Sequence, residues 1–584
     1  MRSLAWGIAT PISVLASIGI GGAVQAQISP NWIQRYDNRG EGYAWAASMA
    51  LAPDGIVVIG AVSSGGTYTG VVKYDFDGNF LWDARIDVPN ASPYAVACDG
   101  EGGVYVIGST YRASNWDYFV ARMSPSGQQL WAVVYGTDQY DYGRSIAIDP
   151  TGNIYACGES GSDGVVAKLS GDGTILWEHS GTGTADSLAL TDEGVAVTGA
   201  KVVAGRGRDV STRLLASDST LLWHDLQDGS LSDNDYGVAV VFDAAGRILV
   251  GANMNGNRPA RDVGAFSYSR HGHLVWRRVL DGGGNVADTV ANGCVDRFGN
   301  LTLVGSTSDG GTFSNILTIN LSRRGDVRYV QSYNGPANDI DYGLDVVADA
   351  NGNSFVAGAS SRDQTHGAFD YLVIKYDSAG NFHWELRQRG TAGGEDKAVA
   401  IVASEDGSVY VTGQALYRFP GGRDFLTVCI RPTDFVAPLT FAVTRGQYLS
   451  GGLLDLYYND TFGVRVQALR PTSLNIPSVE IEVEGRSPTT SPTELYFVAE
   501  TSPTVNGPIQ RILAFNFRTG MWDVVDSRPV YVGRNTVAVR ITESAPDYVR
   551  GDGLLRLRVG LVDYGVTFPA WGFMVDQFVW FVQQ

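Results

Sequence analysis

Basic residues are scarce in this 584-residue sequence. Its 43 Lys and Arg stand against 61 Asp and Glu, a formal charge of −18. That balance argues against a nucleic-acid partner, whose binding rests on Lys and Arg neutralising phosphates. Charged residues are only 18% and aromatics reach 11%, which excludes a disordered chain. Cysteine is scarce too. Cys98, Cys157, Cys294 and Cys429 lie far apart in apolar segments, with no C-x-x-C. This spacing indicates buried free thiols and no zinc site. Past Val24 there is no run of 18 uncharged apolar residues, so no later segment reads as a membrane-spanning helix. G-x-S-x-G, H-E-x-x-H and P-loop patterns are absent, which removes the commonest readable catalytic motifs. Long segments with a 3.6-residue apolar period are missing as well. Glycine, in contrast, is abundant at 73 residues, well above the usual ~7%, and lacks the strict period of three of collagen. The composition is that of an all-β protein with many tight turns.

The first 26 residues read as a secretory signal peptide. Arg2 supplies the positive charge, Leu4 to Val24 the apolar run, and Val24-Gln25-Ala26 the small residues before a cut. The mature chain is therefore expected to be secreted, periplasmic or on the cell surface, with no membrane span once the signal is removed.

A unit of about fifty residues then recurs. One copy runs from Asp141 to Trp177. Arg144–Asp149 is an apolar strand and Pro150–Asn153 a turn. Ile154–Gly158 is a second strand and Asp163–Lys168 a third. Gly171–Thr174 then turns into Ile175-Leu-Trp177. Short apolar runs separated by Gly, Asn and Asp are hairpin signals. Tryptophans after the last turn stand at 32, 82, 131, 177, 223, 276 and 384, and Tyr329 fills the place in the one double gap. A four-stranded unit at this period is the mark of a β-propeller blade. Seven full units end at Trp82, Trp131, Trp177, Trp223, Trp276, Tyr329 and Trp384. An eighth begins at Ala398 and stops at Pro432 without an outer strand. Asn31–Tyr36 is an outer strand without a blade. Joining these two pieces predicts an eight-bladed β-propeller closed by the N-terminal strand, with seven blades as the alternative. Trp131, Trp177 and Trp223 are expected to pack between neighbouring blades.

The series D-x-x-G-N-x-Y-V-x-G, D-x-x-V-x-K and D-x-x-G-x-x-x-W resembles the bacterial beta-propeller repeats of the SBBP type. It is clear in Asp370–Lys375 followed by Asp377–Trp384. The resemblance covers residues 30–432 and implies an exported scaffold without an assigned chemistry. That family is usually seven-bladed, so the count departs from it. Tyr74–Trp82 is also similar to the tryptophan-docking motif of PQQ-type quinoproteins. Those carry adjacent cysteines, which this chain lacks. Beyond Pro432 the β pattern changes. Val479–Gly485, Glu494–Ala499, Arg511–Phe517, Thr536–Ile541 and Leu554–Val559 read as strands of a C-terminal β-sandwich. The expected organisation is signal peptide 1–26, propeller 27–436 and sandwich 437–584.

Propeller geometry separates two faces. The short Asp-Gly and Gly-Asn hairpins share one face, and the longer loops share the other. Ligands are expected on the longer loops. The candidate ligand residues are Asp141 and Tyr142, Asp235 and Tyr236, Asp341 and Tyr342, and Trp116 in the loop from Ser109. The Asp-Tyr pairs stand just before inner strands. They read either as an acidic, aromatic rim or as a repeated device in which Asp caps backbone N–H groups and Tyr packs between blades. The Asp that opens each third strand (117, 163, 209, 262, 370, 424) reads as a cap. Asp75–Asn79 reads as a turn. Glu480, Glu482 and Glu484 lie on one strand face; paired carboxylates can do acid/base work, but these read as a solvated edge. Trp116, His366, Arg418 and Arg423 depart from the repeat but form no catalytic set. No catalytic residue, metal ligand or cofactor is assigned. The expectation is a monomeric, exported, non-enzymatic scaffold that binds a protein partner or a glycan. The alternative is a carbohydrate-active lyase or hydrolase using the channel, and a PQQ-type quinoprotein is the remoter one.

Overall fold

The computed structural model describes residues 30–583 apart from residue 31 and short internal segments, the longest being 564–570 and 457–462. The expected signal peptide lies outside the described residues. Strand is the dominant structure, and no described helix is long and apolar enough to cross a membrane.

From Trp32 to Ile430 the described strands form eight four-stranded antiparallel sheets, numbered here 1 to 8 in chain order. Sheet 1 spans residues 44–86, sheet 2 spans 91–135, and sheet 3 spans 141–180. Sheets 4, 5, 6 and 7 span 187–227, 236–280, 288–333 and 341–388. Each of these seven is a simple meander. Sheet 8 combines Lys397–Ala403, Val409–Arg418 and Gly422–Ile430 with the N-terminal strand Trp32–Tyr36 as its outer member. The first strands of successive sheets pack side by side, and that of sheet 1 packs against sheet 8. The sheets therefore form a closed ring, a β-propeller, with first strands innermost. Apolar clusters fill the spaces between consecutive sheets. Phe355, Tyr371 and Leu386 of sheet 7, for example, pack with Ile401, Val411 and Leu426 of sheet 8.

The repeated turn residues have local causes. Asp149 Oδ1 accepts the N–H groups of Thr151 and Asn153, and Gly152 takes φ of 83°. Asp75 Oδ1 likewise accepts from Asp77 and Asn79, so the Asp75–Asn79 segment is a turn. The repeated tryptophan links one sheet to the next. Trp131 Nε1 donates to Gly171 O of sheet 3 (3.0 Å), Trp223 Nε1 to Arg270 O of sheet 5 (2.9 Å) and Trp276 Nε1 to Arg323 O of sheet 6 (3.2 Å). Each ring lies over the next turn's glycine. A Cβ on Gly325 would stand 2.6 Å from the Trp276 ring. That glycine has φ of 81°, so both the conformation and the contact select Gly. Tyr329 occupies the same place over Gly380.

The four cysteines are free. Cys157 and Cys429 are buried, Cys98 and Cys294 partly so, and burial pushes the Cys98 and Cys157 thiols up to about 12. They pack as small hydrophobes. The Asp opening the third strand departs from the expected cap: Asp117, Asp209, Asp370 and Asp424 instead pair with Arg112, Arg206, Arg362 and Arg35.

The strands from Phe435 to Gln583 make a five-stranded and a six-stranded sheet. Val479, Ile481, Leu557 and Val559 of the first share a core with Phe497, Val537, Val575 and Trp580 of the second. Glu480, Glu482 and Glu484 lie on Val479–Arg486, an interior strand. The solvated edge expected there is corrected: the strand is flanked on both sides, Glu482 is 7% exposed and pairs with Arg556 and Arg558, and Glu484 and Glu480 pair with the same two arginines.

Candidate functional site

The Asp-Tyr pairs at the inner-strand starts divide into two roles. Asp141, Asp235 and Asp341 are at most 1% exposed. Thr137 N–H donates to Asp141 Oδ2 (2.6 Å). Gly229 N–H and Asn255 N–H donate to Asp235 (2.6 and 2.7 Å). Gly335 N–H donates to Asp341 (2.7 Å). Asp396 repeats the pattern with Gly390 and Leu416. Each carboxylate ties the connection between two sheets to the ring, so the open acidic rim is corrected to an internal cap. The tyrosines stay nearer the surface. Tyr342 leans on Phe369 (centroids 5.0 Å) with Lys397 Nζ 5.3 Å from its ring, and Arg208 lies over Tyr236.

Sheets 2 and 3 break this near-symmetry. Trp116 is not in a loop. It belongs to the strand Asn115–Met123 and faces Tyr111 across the hairpin. That hairpin turns tightly because Ala113 and Ser114 both take positive φ (48° and 67°). The Trp116 ring lies 5.3 Å from Tyr111 and 6.1 Å from Tyr142. Arg144 continues the row, 5.6 Å from the Tyr142 ring and 5.4 Å from Tyr94 of sheet 2. Its Nε and one Nη donate to Glu159 Oε1 (3.2 and 3.0 Å). On the other face of the same hairpin lies an open cavity of about 790 Å³, lined by Arg112, Asn115, Asp117, Thr137, Gln139 and Tyr140. Asn115 Nδ2 donates to Thr137 O and Gln139 O and holds its near wall.

A β-bulge explains where Arg144 points. Seven of the eight innermost strands carry a bulge at this place, which re-aims the extra residue. The bulged residue is Ala47, Tyr94, Arg144, Val238, Ala291, Leu344 or Val399 in sheets 1, 2, 3, 5, 6, 7 and 8. Only sheets 2 and 3 place a polar or aromatic side chain there. The signal was present in the sequence, in the residue after each Asp-Tyr-Gly. Arg144 follows Gly143, whereas Val238 and Leu344 follow the other two.

Asp186, at the entry to sheet 4, faces Glu159 and Arg144. Burial first, and then the neighbouring Glu159 charge, lift its carboxyl above the usual range, opposed by the Thr184 hydroxyl and Arg144. Of the other departures from the repeat, Arg423 pairs with Glu395 (3.1 Å). His366 and the Arg418 side chain lie outside the described residues. Among the described residues no group of three or more His, Cys, Asp or Glu is placed to hold a metal ion.

The family model described as SBBP, beta-propeller repeat, matches residues 131–164. Within these residues the chain is similar to one SBBP beta-propeller repeat. The match runs from Trp131 through the first two strands of sheet 3, and so includes Tyr142, Arg144 and Glu159. An uncharacterized WD repeat-containing protein of Acanthamoeba polyphaga mimivirus is 31% identical over 129 residues, 18% of this chain and 9% of that protein. The chain thus spans under a tenth of that relative's length. Among solved structures, Sqt1 from Chaetomium thermophilum aligns with TM-score 0.45 and 11% identity, covering 69% of this chain and 99% of that one. The beta-propeller domain of the Trilobed protease from Pyrococcus furiosus aligns with TM-score 0.37 and 9% identity over 58% and 97%.

Burial pushes the Asp341 carboxyl up to about 6, opposed by hydrogen bonds from Ser360 and Gly335 and by Arg387. A carboxyl raised on folding favours its protonated form in the native state. Its stabilising contribution is complete below the unfolded value near 4 and is lost as pH rises through about 6. Asp341→Asn is therefore expected to stabilise the propeller at pH 7.5, by on the order of 2 kcal/mol, and not at pH 4.5. Denaturant melts at the two pH values check this. A variant equally destabilised at both refutes it.

Proposed function

We propose that this chain is an exported, non-enzymatic propeller scaffold that binds a carbohydrate chain across the loop face of sheets 2 and 3. The propeller itself fits a scaffold or binding role. The carrying observation is the row of rings Tyr111, Trp116 and Tyr142, continued by Arg144 and Tyr94. Flat aromatic faces take the apolar faces of sugar rings. The site interrupts the repeat, as a ligand site in a pseudo-symmetric ring must. One observation favours an enzyme: Glu159 and Asp186 are neighbouring carboxyls, and burial lifts that of Asp186 above its usual range.

A glycan panel titrated against the mature chain tests the reading. Trp116→Ala is expected to lower affinity for the bound glycan at least about tenfold, or ~1.4 kcal/mol, with little change in melting. Unchanged binding by this variant removes the aromatic row from the site. Turnover of the same glycans, lost in Glu159→Gln, decides for the enzyme.

A further inference from the structure

We propose that the same ligand is held at a second aromatic platform, Tyr43 and Trp45 of sheet 1, so that the site takes an extended polysaccharide chain and not a terminal sugar or a disaccharide. This rests on the glycan reading above and adds the length and direction of the ligand.

Sheets 1 and 3 begin with the same two-ring element. The chain enters sheet 1 as Tyr43-Ala-Trp45 and sheet 3 as Tyr140-Asp-Tyr142. The two stand in the same register. Trp45 lies two residues before the bulged Ala47, and Tyr142 two residues before the bulged Arg144. Tyr43 O accepts the Ser63 N–H and Tyr140 O accepts the Gly161 N–H, both at 2.9 Å. The two pairs are therefore held at the same height on the loop face, on either side of sheet 2. The entries to sheets 5 and 7 carry one ring each, because Asn234 precedes Tyr236 and Ile340 precedes Tyr342.

The exposed tyrosines of the loop face gather on sheets 1 to 3. Tyr43 is 43% exposed and Tyr140 56%, and between them sheet 2 offers Tyr94 at 40% and Tyr111 at 44%. The Tyr43 ring lies parallel on the half-buried Trp45 (5.6 Å, 10°). A ring backed in this way is already ordered, so little freedom is lost when a sugar settles on it. Toward sheet 4 the surface changes character. Asp186 and Glu159 stand at that entry, Arg208 lies over Tyr236, and Phe369 and Lys397 flank Tyr342. The ligand therefore runs from sheet 3 toward sheet 1. Sheets packed face to face lie about 10 Å apart, which separates the two ring pairs by roughly 15–20 Å. A disaccharide does not bridge that span and a hexasaccharide does. Once one platform is filled, contact with the second is intramolecular, which raises affinity without any new kind of contact.

The test titrates the chain from residue 27 onward by calorimetry with di-, tetra- and hexasaccharides of the cello, xylo and chito series. In at least one series wild type is expected to bind the hexamer at least about tenfold more tightly than the dimer. Tyr43→Ala is expected to remove most of that advantage and to leave dimer binding and melting unchanged. Tyr43→Phe, which keeps the ring, should keep the advantage. Tyr236→Ala, on the far side of sheet 4, should change neither length. A hexamer bound no more tightly than the dimer overturns the second platform and leaves the glycan reading standing. A hexamer advantage that survives Tyr43→Ala overturns it as well, and so does equal loss of dimer and hexamer binding in that variant, which would place Tyr43 in a single subsite. Loss of the advantage in Tyr236→Ala overturns the direction toward sheet 1. If wild type binds no member of the three series, the glycan reading itself falls and this inference with it.

Discussion

A chain starting at residue 38 is expected to melt roughly 10 °C or more below one starting at residue 27, or to aggregate on heating. The N-terminal strand does two jobs in the ring. It pairs with the third strand of sheet 8 in register from Trp32–Cys429 to Tyr36–Phe425. Without it, the Phe425–Cys429 edge of a central strand is bare, a template for pairing with other chains. The same strand also docks on sheet 1. Trp32 Nε1 donates to Phe76 O (3.1 Å), its ring lies over Gly78, and Tyr36 Oη donates to Asp83 (2.9 Å). Its loss therefore opens a sheet edge and one inter-sheet seam together. It also strips Arg35 from Asp424, which is 2% exposed, and a buried charge left without its partner is costly. Calorimetry of the two chains checks this. Coincident melting transitions would show that ring closure does not depend on the strand.

Trp276→Ala is expected to cost about 3–5 kcal/mol, the range for removing a large aromatic from a core. Its ring is 7% exposed, covers Gly325 and packs with Leu249, Leu303 and Leu317. Trp177→Ala should cost distinctly less. That ring is only half-buried, and the turn it meets carries Ser219, at φ of 75°, in place of glycine. The hydrogen bond from its Nε1 to Ser217 O remains to be lost (2.9 Å). Urea melts of the two variants rank them, and Trp116→Ala supplies the contrasting case of small stability change with lost ligand. Equal losses for Trp276 and Trp177 would mean that the docked glycine contributes little.

Much of the frame was legible because it rests on local, repeated chemistry. Asp-x-x-Gly turns, strand-length apolar runs and a tryptophan after each last turn are read within ten residues. Tyr329 was recognisable as a substitute because its place is set by spacing, and the ring confirms that place by lying over Gly380. The site was less legible. Tyr142 and Trp116 were singled out, but as parts of a rim and a loop. Arg144, Tyr94 and Tyr111 were not, because nothing within sheet 3 alone shows that a bulge swings Arg144 onto a ring of sheet 2. The aspartates before the tyrosines look equally able to face a ligand or the backbone in sequence. Burial at or near zero decides for the backbone.

The same division holds for the C-terminal strands. Alternation in Val479–Glu484 marks which residues face the core, since successive side chains on a strand point to opposite sides. It does not say what lies across the sheet. Arg556 and Arg558, more than seventy residues away, neutralise Glu482 only because Leu554–Val562 pairs beside that strand. By itself the sequence determined the class of fold, the repeat and its turn chemistry, because hydrophobic period and backbone preference act over a few residues. Only the tertiary structure decided which rings meet, which carboxylates are buried and which ion pairs form. Those properties belong to pairs of groups brought together from different sheets, and no single stretch of chain contains both partners.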